Sequence, residues 1–211
     1  DEFVPSLIAV RRDLHEHPEI GFEESRTSDL VASLLASWNI EVYRDIGGTG
    51  LVGVLKGGKG DGPTIGLRAD MDALPMQEET SLPYSSKYDG KFHGCGHDGH
   101  MAILLGAARY LAATRDFRGT VVFIFQPAEE GLGGAKAMLK AGLFERFPCD
   151  RIYGFHNWPE LELGQIAVVP GSCMAGADFF DIEVKGRGGH GGMPQQSTDP
   201  IVAAAHLVSA L

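Results

Sequence analysis

Apolar residues recur along this chain with two spacings, one near 3.6 and one of two or less, and the switch between them marks out its elements. Val4, Leu7, Ile8 and Leu14 lie near helical spacing, so residues 4–16 are expected to form a helix, ended by Pro18. A second helix is expected from about Glu24 to Ser37, with Leu30, Val31, Leu34 and Leu35 on one face. Short β-like runs follow, IEVYR, LVGVL and TIGLR, separated by glycine-rich turns. A loop with Pro75 and Pro83 leads to HMAILLGAARYLAA, a helix of about four turns. TVVFIF is apolar throughout, which suits a strand buried on both faces. A helix near 133–141 and the strand-like runs RIYGF and GQIAVV come next. Helices alternating with strands predict an α/β protein with a mixed, mostly parallel sheet flanked by helices.

The pattern changes at about residue 177. ADFFDIEVKG alternates apolar and polar residues, as a strand with one solvated face does. The loop GRGGHGGMPQQ follows, and then a helix over PIVAAAHLVSAL, capped by Thr198 or Asp199 with Pro200 in its first turn. Residues 1–176 are therefore expected to form one domain and 177–211 the opening of a smaller α+β one.

With 211 residues, 44% hydrophobic and 22% charged, the composition is that of an ordinary soluble globular protein. The formal net charge of −10 argues against nonspecific nucleic-acid binding, which needs a basic surface. No apolar run approaches the ~20 residues of a membrane span, and DEFVPSLIAV lacks the basic start of a signal peptide. Cys95, Cys149 and Cys173 are odd in number and far apart, poor material for a disulfide framework. That usage suits a reducing compartment, and the expected location is cytoplasmic.

The chemistry concentrates in His93-Gly94-Cys95-Gly96-His97-Asp98-Gly99-His100, which carries three histidines, a cysteine and an aspartate with almost nothing to bury. Cys95 and His97 read as metal ligands in preference to a buried thiol beside a capping histidine. Gly94 and Gly96 let the backbone bend so that sulfur and imidazole converge. No second Cys/His pair sits at zinc-finger spacing, so a catalytic site drawing ligands from several elements is the better reading. His93 and His100 read as supporting groups ahead of ligands. Glu129 and Glu130 follow TVVFIF; one can bind metal while the other faces water as a general base, or both can be a solvated helix start. His156-Asn157 follows RIYGF, and His156 becomes a ligand candidate in company with the other two sites. In Arg68-Ala69-Asp70-Met71-Asp72, Asp70 is read equally as the orienter of a ligand histidine and as one half of an Arg–Asp ion pair. His190, in Gly188-Gly189-His190-Gly191-Gly192, sits in a loop too flexible for a core. It is a candidate for a residue brought to the site from the second domain. No P-loop, dinucleotide fingerprint or nucleophile elbow is present.

The stretches RRDLHEHPEIGFEE, LRADMDALPM, FHGCGHDGHMAILLGAA, FIFQPAEEG, GFHNWP and KGRGGHGGMP together resemble the dinuclear-metal amidohydrolases of N-acyl amino acids. That group includes hippurate hydrolases, N-acyl-amino-acid amidohydrolases and auxin-conjugate hydrolases. The resemblance implies a zinc-exopeptidase-like catalytic domain with two divalent ions (Zn, Mn, Co or Ni) and no organic cofactor. It implies Cys95, His97, Glu130 and His156 as ligands and Glu129 as the catalytic carboxylate, and Asp70 and His190 are expected to join Glu129 in the catalytic set. His190 would lie in a lid and dimerisation domain, reaching substrate and making a homodimer, with no nucleic acid or membrane as partner. Related peptidases place a ligand histidine in an HxD motif, here Arg68-Ala69-Asp70; Asp70 matches, but the Arg68 guanidinium stays protonated and cannot ligate. Family members return to the catalytic domain after the lid and add one more ligand histidine, whereas this sequence stops at Leu211. Alternatives are a dipeptidase or carboxypeptidase of the same superfamily, or an inactive fragment that binds metal or only dimerises.

Overall fold

A computed structural model describes residues 3–176 and 178–211. The chain divides into two compact units, Asp1–Glu160 and Leu161–Leu211. The division falls at Glu160, ahead of the change of pattern at about residue 177.

In the first unit the order is α1 (Val4–Glu16), α2 (Ser25–Ser37), β1 (Glu41–Tyr43), β2 (Leu51–Lys56), β3 (Thr64–Asp70), α3 (His97–Thr114), β4 (Thr120–Gln126), α4 (Gly134–Lys140), α5 (Leu143–Arg146) and β5 (Arg151–Gly154). The five strands form one sheet in the order β1-β2-β4-β3-β5. β3 pairs parallel with β4 and with β5, while β2 runs antiparallel to β4 and β1 antiparallel to β2. This is the mixed sheet flanked by helices that the alternation of spacings predicts.

Strand β4 explains the layering. Successive side chains of a strand point to opposite faces. Val121, Phe123 and Phe125 therefore join one core with Leu14 of α1, Val31 and Leu35 of α2, and Met101 and Leu105 of α3. Val122 and Ile124 join a second core with Met138 of α4, Leu143 of α5 and Phe147. Full burial of Phe123 and Phe125 contributes about 1.5–3 kcal/mol each. β4 is apolar from Val121 to Phe125 because helices cover both of its faces.

In the second unit α6 (Pro200–Ala210) begins as expected, with Asp199 Oδ1 accepting from the Ile201 N–H at 2.8 Å. Two expected strands do not form. GQIAVV and the described part of ADFFDIEVKG have no strand pairing, and Ala177, first residue of the latter run, lies outside the described residues. An extended segment gains its ladder hydrogen bonds only opposite a partner, and alternation alone supplies none. Among the described residues of this unit the only β pairing is the isolated bridge Arg187–Thr198. No helix among the described residues is long and apolar enough to cross a membrane.

Candidate metal centre

Asp70, Gln126 and Gly154 end three neighbouring parallel strands, so the segments after them leave the sheet along one edge. From β3 the chain passes to β4 on one side and later to β5 on the other. Such a switch opens a crevice beyond the strand ends, where open α/β sheets bind their ligands. Asp72 follows β3, Glu129 and Glu130 follow β4, His156 follows β5, and Cys95 and His97 stand at the start of α3.

Two imidazoles are set in one tautomer by backbone carbonyls. His97 Nδ1 lies 2.8 Å from the carbonyl oxygen of Asp72. His156 Nδ1 lies 2.6 Å from that of Asn157. A carbonyl only accepts, so in each ring Nδ1 carries a proton, and Nε2 is the nitrogen left to offer a lone pair when the ring is neutral. Burial opposes charge on His97, but the Asp72 hydrogen bond and the charges of Asp70, Asp72 and Glu130 raise its pKa, so a cation binding at Nε2 takes the place of a proton there. His156 Nε2 is 3.4 Å from Cys95 Sγ. Donor atoms of Cys95, His97 and His156 all lie within 4.8 Å of one another, and so do those of His97, Glu129 and Glu130. His97 is thus common to a sulfur–imidazole group and a pair of carboxylates. Its Nε2 is 3.8 Å from Glu130 Oε1, and both atoms are buried without a hydrogen-bond partner among the described residues. Orphaned buried polar atoms are costly, and a divalent cation is a partner both can share. Cys95 agrees: burial first, then the charge of Glu130, pushes its thiol up to about 12. Its neighbourhood favours a thiolate only once positive charge is present.

Aspartates surround this arrangement. Asp72 Oδ2 accepts from the Glu130 N–H at 3.0 Å, so Asp72 holds His97 through its carbonyl and Glu130 through its carboxylate. Burial opposes the charge on Asp72, but His97 and the Glu130 and Glu129 amides outweigh it and hold the carboxyl below its usual range. Asp70 makes both contacts foreseen for it, with a difference. It pairs with Arg68 Nη1 at 2.7 Å, and the histidine it orients is His100, at 2.6 Å from Nδ1. Burial again works against the charge, yet the His100 hydrogen bond and the charges of His97 and Arg68 bring the Asp70 carboxyl down to about 2. Gly96 has φ +93°, and a Cβ there would collide with the Asn157 side chain, so only glycine allows the approach of α3 to the segment after β5.

Asp98, next to His97, faces away from the centre. Its Oδ2 accepts from His15 Nδ1 at 2.8 Å and from Arg11 Nε at 3.0 Å, tying the first turn of α3 to α1. His93 is buried with neither ring nitrogen partnered among the described residues, and burial lowers it to about 4.

The structure brings Cys95, His97, Glu129, Glu130 and His156 together and sets Asp70 beside His97 through an Oδ2–Nε2 distance of 3.6 Å. His190 lies in the second unit, exposed, its Nδ1 accepting from the Gly192 N–H at 3.0 Å. Asp72 holds both His97 and Glu130, yet nothing in its local pattern assigns it a role. Its one signal was a second aspartate at a strand end, and its partner lies 58 residues away.

The model of Peptidase family M20/M25/M40 matches residues 66–210. A hippurate hydrolase of Campylobacter jejuni is 54% identical over 202 residues, covering 96% of this chain and 52% of the relative. An N-acetylcysteine deacetylase of Bacillus subtilis is 47% identical over 212 residues, covering 99% of this chain and 55% of the relative. The chain spans about half the length of the curated relatives it matches. The crystal structure of a Bacillus subtilis protein described as a dinuclear metal binding peptidase from the M20 family has 46% identity and a TM-score of 0.73, covering 77% of this chain and 46% of that one. With a family model matched over more than half of its length and a strand-edge cluster of metal-type donors, the chain belongs to peptidase family M20/M25/M40.

Proposed function

We propose that this chain carries the metal centre of a hydrolase that cleaves the amide bond of N-acyl amino acids, releasing a carboxylic acid and a free amino acid. The observation that carries the reading is the meeting of Cys95 Sγ and the Nε2 atoms of His97 and His156, with both Nδ1 protons committed to backbone carbonyls. The names of the hippurate hydrolase and the N-acetylcysteine deacetylase support the substrate class.

In this reading Cys95, His97, Glu130 and His156 are the metal-holding residues, and the site takes two divalent ions of the Zn, Mn, Co or Ni type. A mixed sulfur, imidazole and carboxylate set suits these borderline ions. Bound metal supplies Lewis acidity to the scissile carbonyl and acidity to water. Glu129 takes a proton from the attacking water and returns it to the departing amine, while the hydroxyl adds to the carbonyl carbon and the C–N bond breaks. Asp72 and Asp70 position the imidazoles and Glu130. His190 is proposed to donate to the developing oxyanion, and the second unit to mediate a homodimer. The free cysteines suit a cytoplasmic location.

Metal analysis of the purified full-length protein, with an assay on hippurate, N-acetyl amino acids and dipeptides, tests this. Metal bound with hydrolysis of the N-acyl compounds is expected. A filled site that cleaves only dipeptides overturns the substrate class, and a filled site that cleaves none overturns the enzyme.

A further inference from the structure

Glu24 is fully buried, yet no Lys, Arg or His among the described residues lies within salt-bridge distance of it. A carboxylate in that position is expensive unless its hydrogen bonds serve the fold or the site. Glu24 makes two long-range ones. Its Oε2 accepts from the Thr49 hydroxyl, and its Oε1 accepts from the Ala128 N–H at 2.8 Å. Ala128 is the residue before Glu129, and its φ of +48° is a left-handed conformation that a non-glycine residue avoids unless its surroundings impose it. Those surroundings are specific. Gly21 packs so closely on Ala128 that a Cβ would stand 3.0 Å from its Cα. The Ala128 carbonyl accepts from the Gly134 N–H at 2.9 Å, and the segment ahead of Glu24 is itself fixed beside the site, with Ala73 N–H donating to Glu19 O at 2.8 Å.

Glu129 therefore lies between two anchored peptide units, Ala128 N–H on Glu24 before it and Glu130 N–H on Asp72 after it. From this geometry we infer that Glu24 is a positioning residue for the general base: by gripping the Ala128 amide it imposes the left-handed turn that aims Glu129. The inference rests on the reading of Glu129 as the base. It separates two duties that adjacent carboxylates would otherwise share, because Glu130 keeps its own anchor when Glu24 is lost.

Reach and charge of the carboxylate are separated by two variants of the metal-loaded full-length protein. Glu24→Asp keeps the charge but is one methylene too short for Ala128. Glu24→Gln loses the charge but keeps an oxygen at the right distance, with its amide turned to Thr49. Glu24→Asp is expected to lower kcat tenfold or more, with KM within threefold, while Glu24→Gln restores kcat to within about threefold of the parent. Titration of the metal-free proteins with Mn2+ is expected to give affinities within threefold of one another, since Asp72 still holds Glu130. Parental kcat in Glu24→Asp, equal losses in both variants, or a tenfold loss of Mn2+ affinity in Glu24→Asp each overturns the inference. Glu129→Gln is assayed alongside. If it stays active, the reading of the base fails; if it is inactive while Glu24→Asp is active, only the role of Glu24 fails.

Discussion

His97 donates its Nδ1 proton to the Asp72 carbonyl at 2.8 Å, and this bond decides which nitrogen faces the centre. The same residue, through its carboxylate, holds the Glu130 N–H at 3.0 Å. One aspartate thus fixes an imidazole and a carboxylate that reach the site from different elements.

Asp72→Ala leaves the carbonyl in place but frees the Glu130 amide. Metal affinity is expected to fall by a factor on the order of 10–100, as when a group supporting a ligand is lost. Competition titration of the apo protein measures it. An unchanged affinity would show that Glu130 needs no such support.

Glu129 carries no hydrogen bond from its side chain among the described residues, so its replacement disturbs little around it. Glu129→Gln is expected to leave metal content near normal and to lower kcat by a factor on the order of 10² or more. Steady-state rates paired with metal analysis check both halves. A variant that loses its metal as well would make Glu129 a ligand.

Metal affinity is expected to rise with pH. With no cation present, burial and the Glu130 charge push the Cys95 thiol up to about 12, so near neutral pH the sulfur must give up a proton to bind. Apparent affinity then gains about tenfold per pH unit from this proton alone. Titrations between about pH 6 and 8 in buffers of different ionisation enthalpy report the released proton. In Cys95→Ser this component is expected to vanish.

The pairing of α1 with α3 gives stability a pH dependence of known sign. His15 is almost fully buried between Asp98 and Glu78, and its pKa is raised, chiefly by the Asp98 hydrogen bond working against burial. A group whose folded pKa is raised stabilises fully below its unfolded value near 6.5, and this contribution is lost as pH rises through the folded value. His15→Gln is therefore expected to destabilise by about 1–3 kcal/mol near pH 6 and by less at pH 8. Urea unfolding at the two pH values measures the difference, and an equal loss at both would refute the charged pair.

Much of the fold was legible because its elements bury apolar faces with regular spacing. α1, α2, α3 and β4 are of that kind, and β4 also announced by its unbroken apolar run that both faces are covered. α5, at four residues, is shorter than the period needed to recognise it. GQIAVV and ADFFDIEVKG have the spacing of strands but no pairing partner among the described residues, and spacing does not encode a partner. In the site, Cys95 and His97 stood out because glycines flank them with nothing to bury. Asp72 and Glu24 did not, because each acts on a backbone amide 58 or 104 residues away, a relation no local pattern carries. For Asp70 the local pattern leaves an Arg–Asp pair and the orienting of a ligand histidine equally open; it pairs with Arg68, and the histidine it orients is His100, one turn further along α3 than His97.

Cys95 and His156 stand 61 residues apart in sequence, with all of α3, β4, α4, α5 and β5 between them. An ion gripped by both would act as a clasp on that whole span, tethering a solvent-facing edge strand to the heart of the molecule. Occupancy of the centre would then govern not only turnover but how readily β5 peels away, and a protease added after chelation would be expected to cut there first.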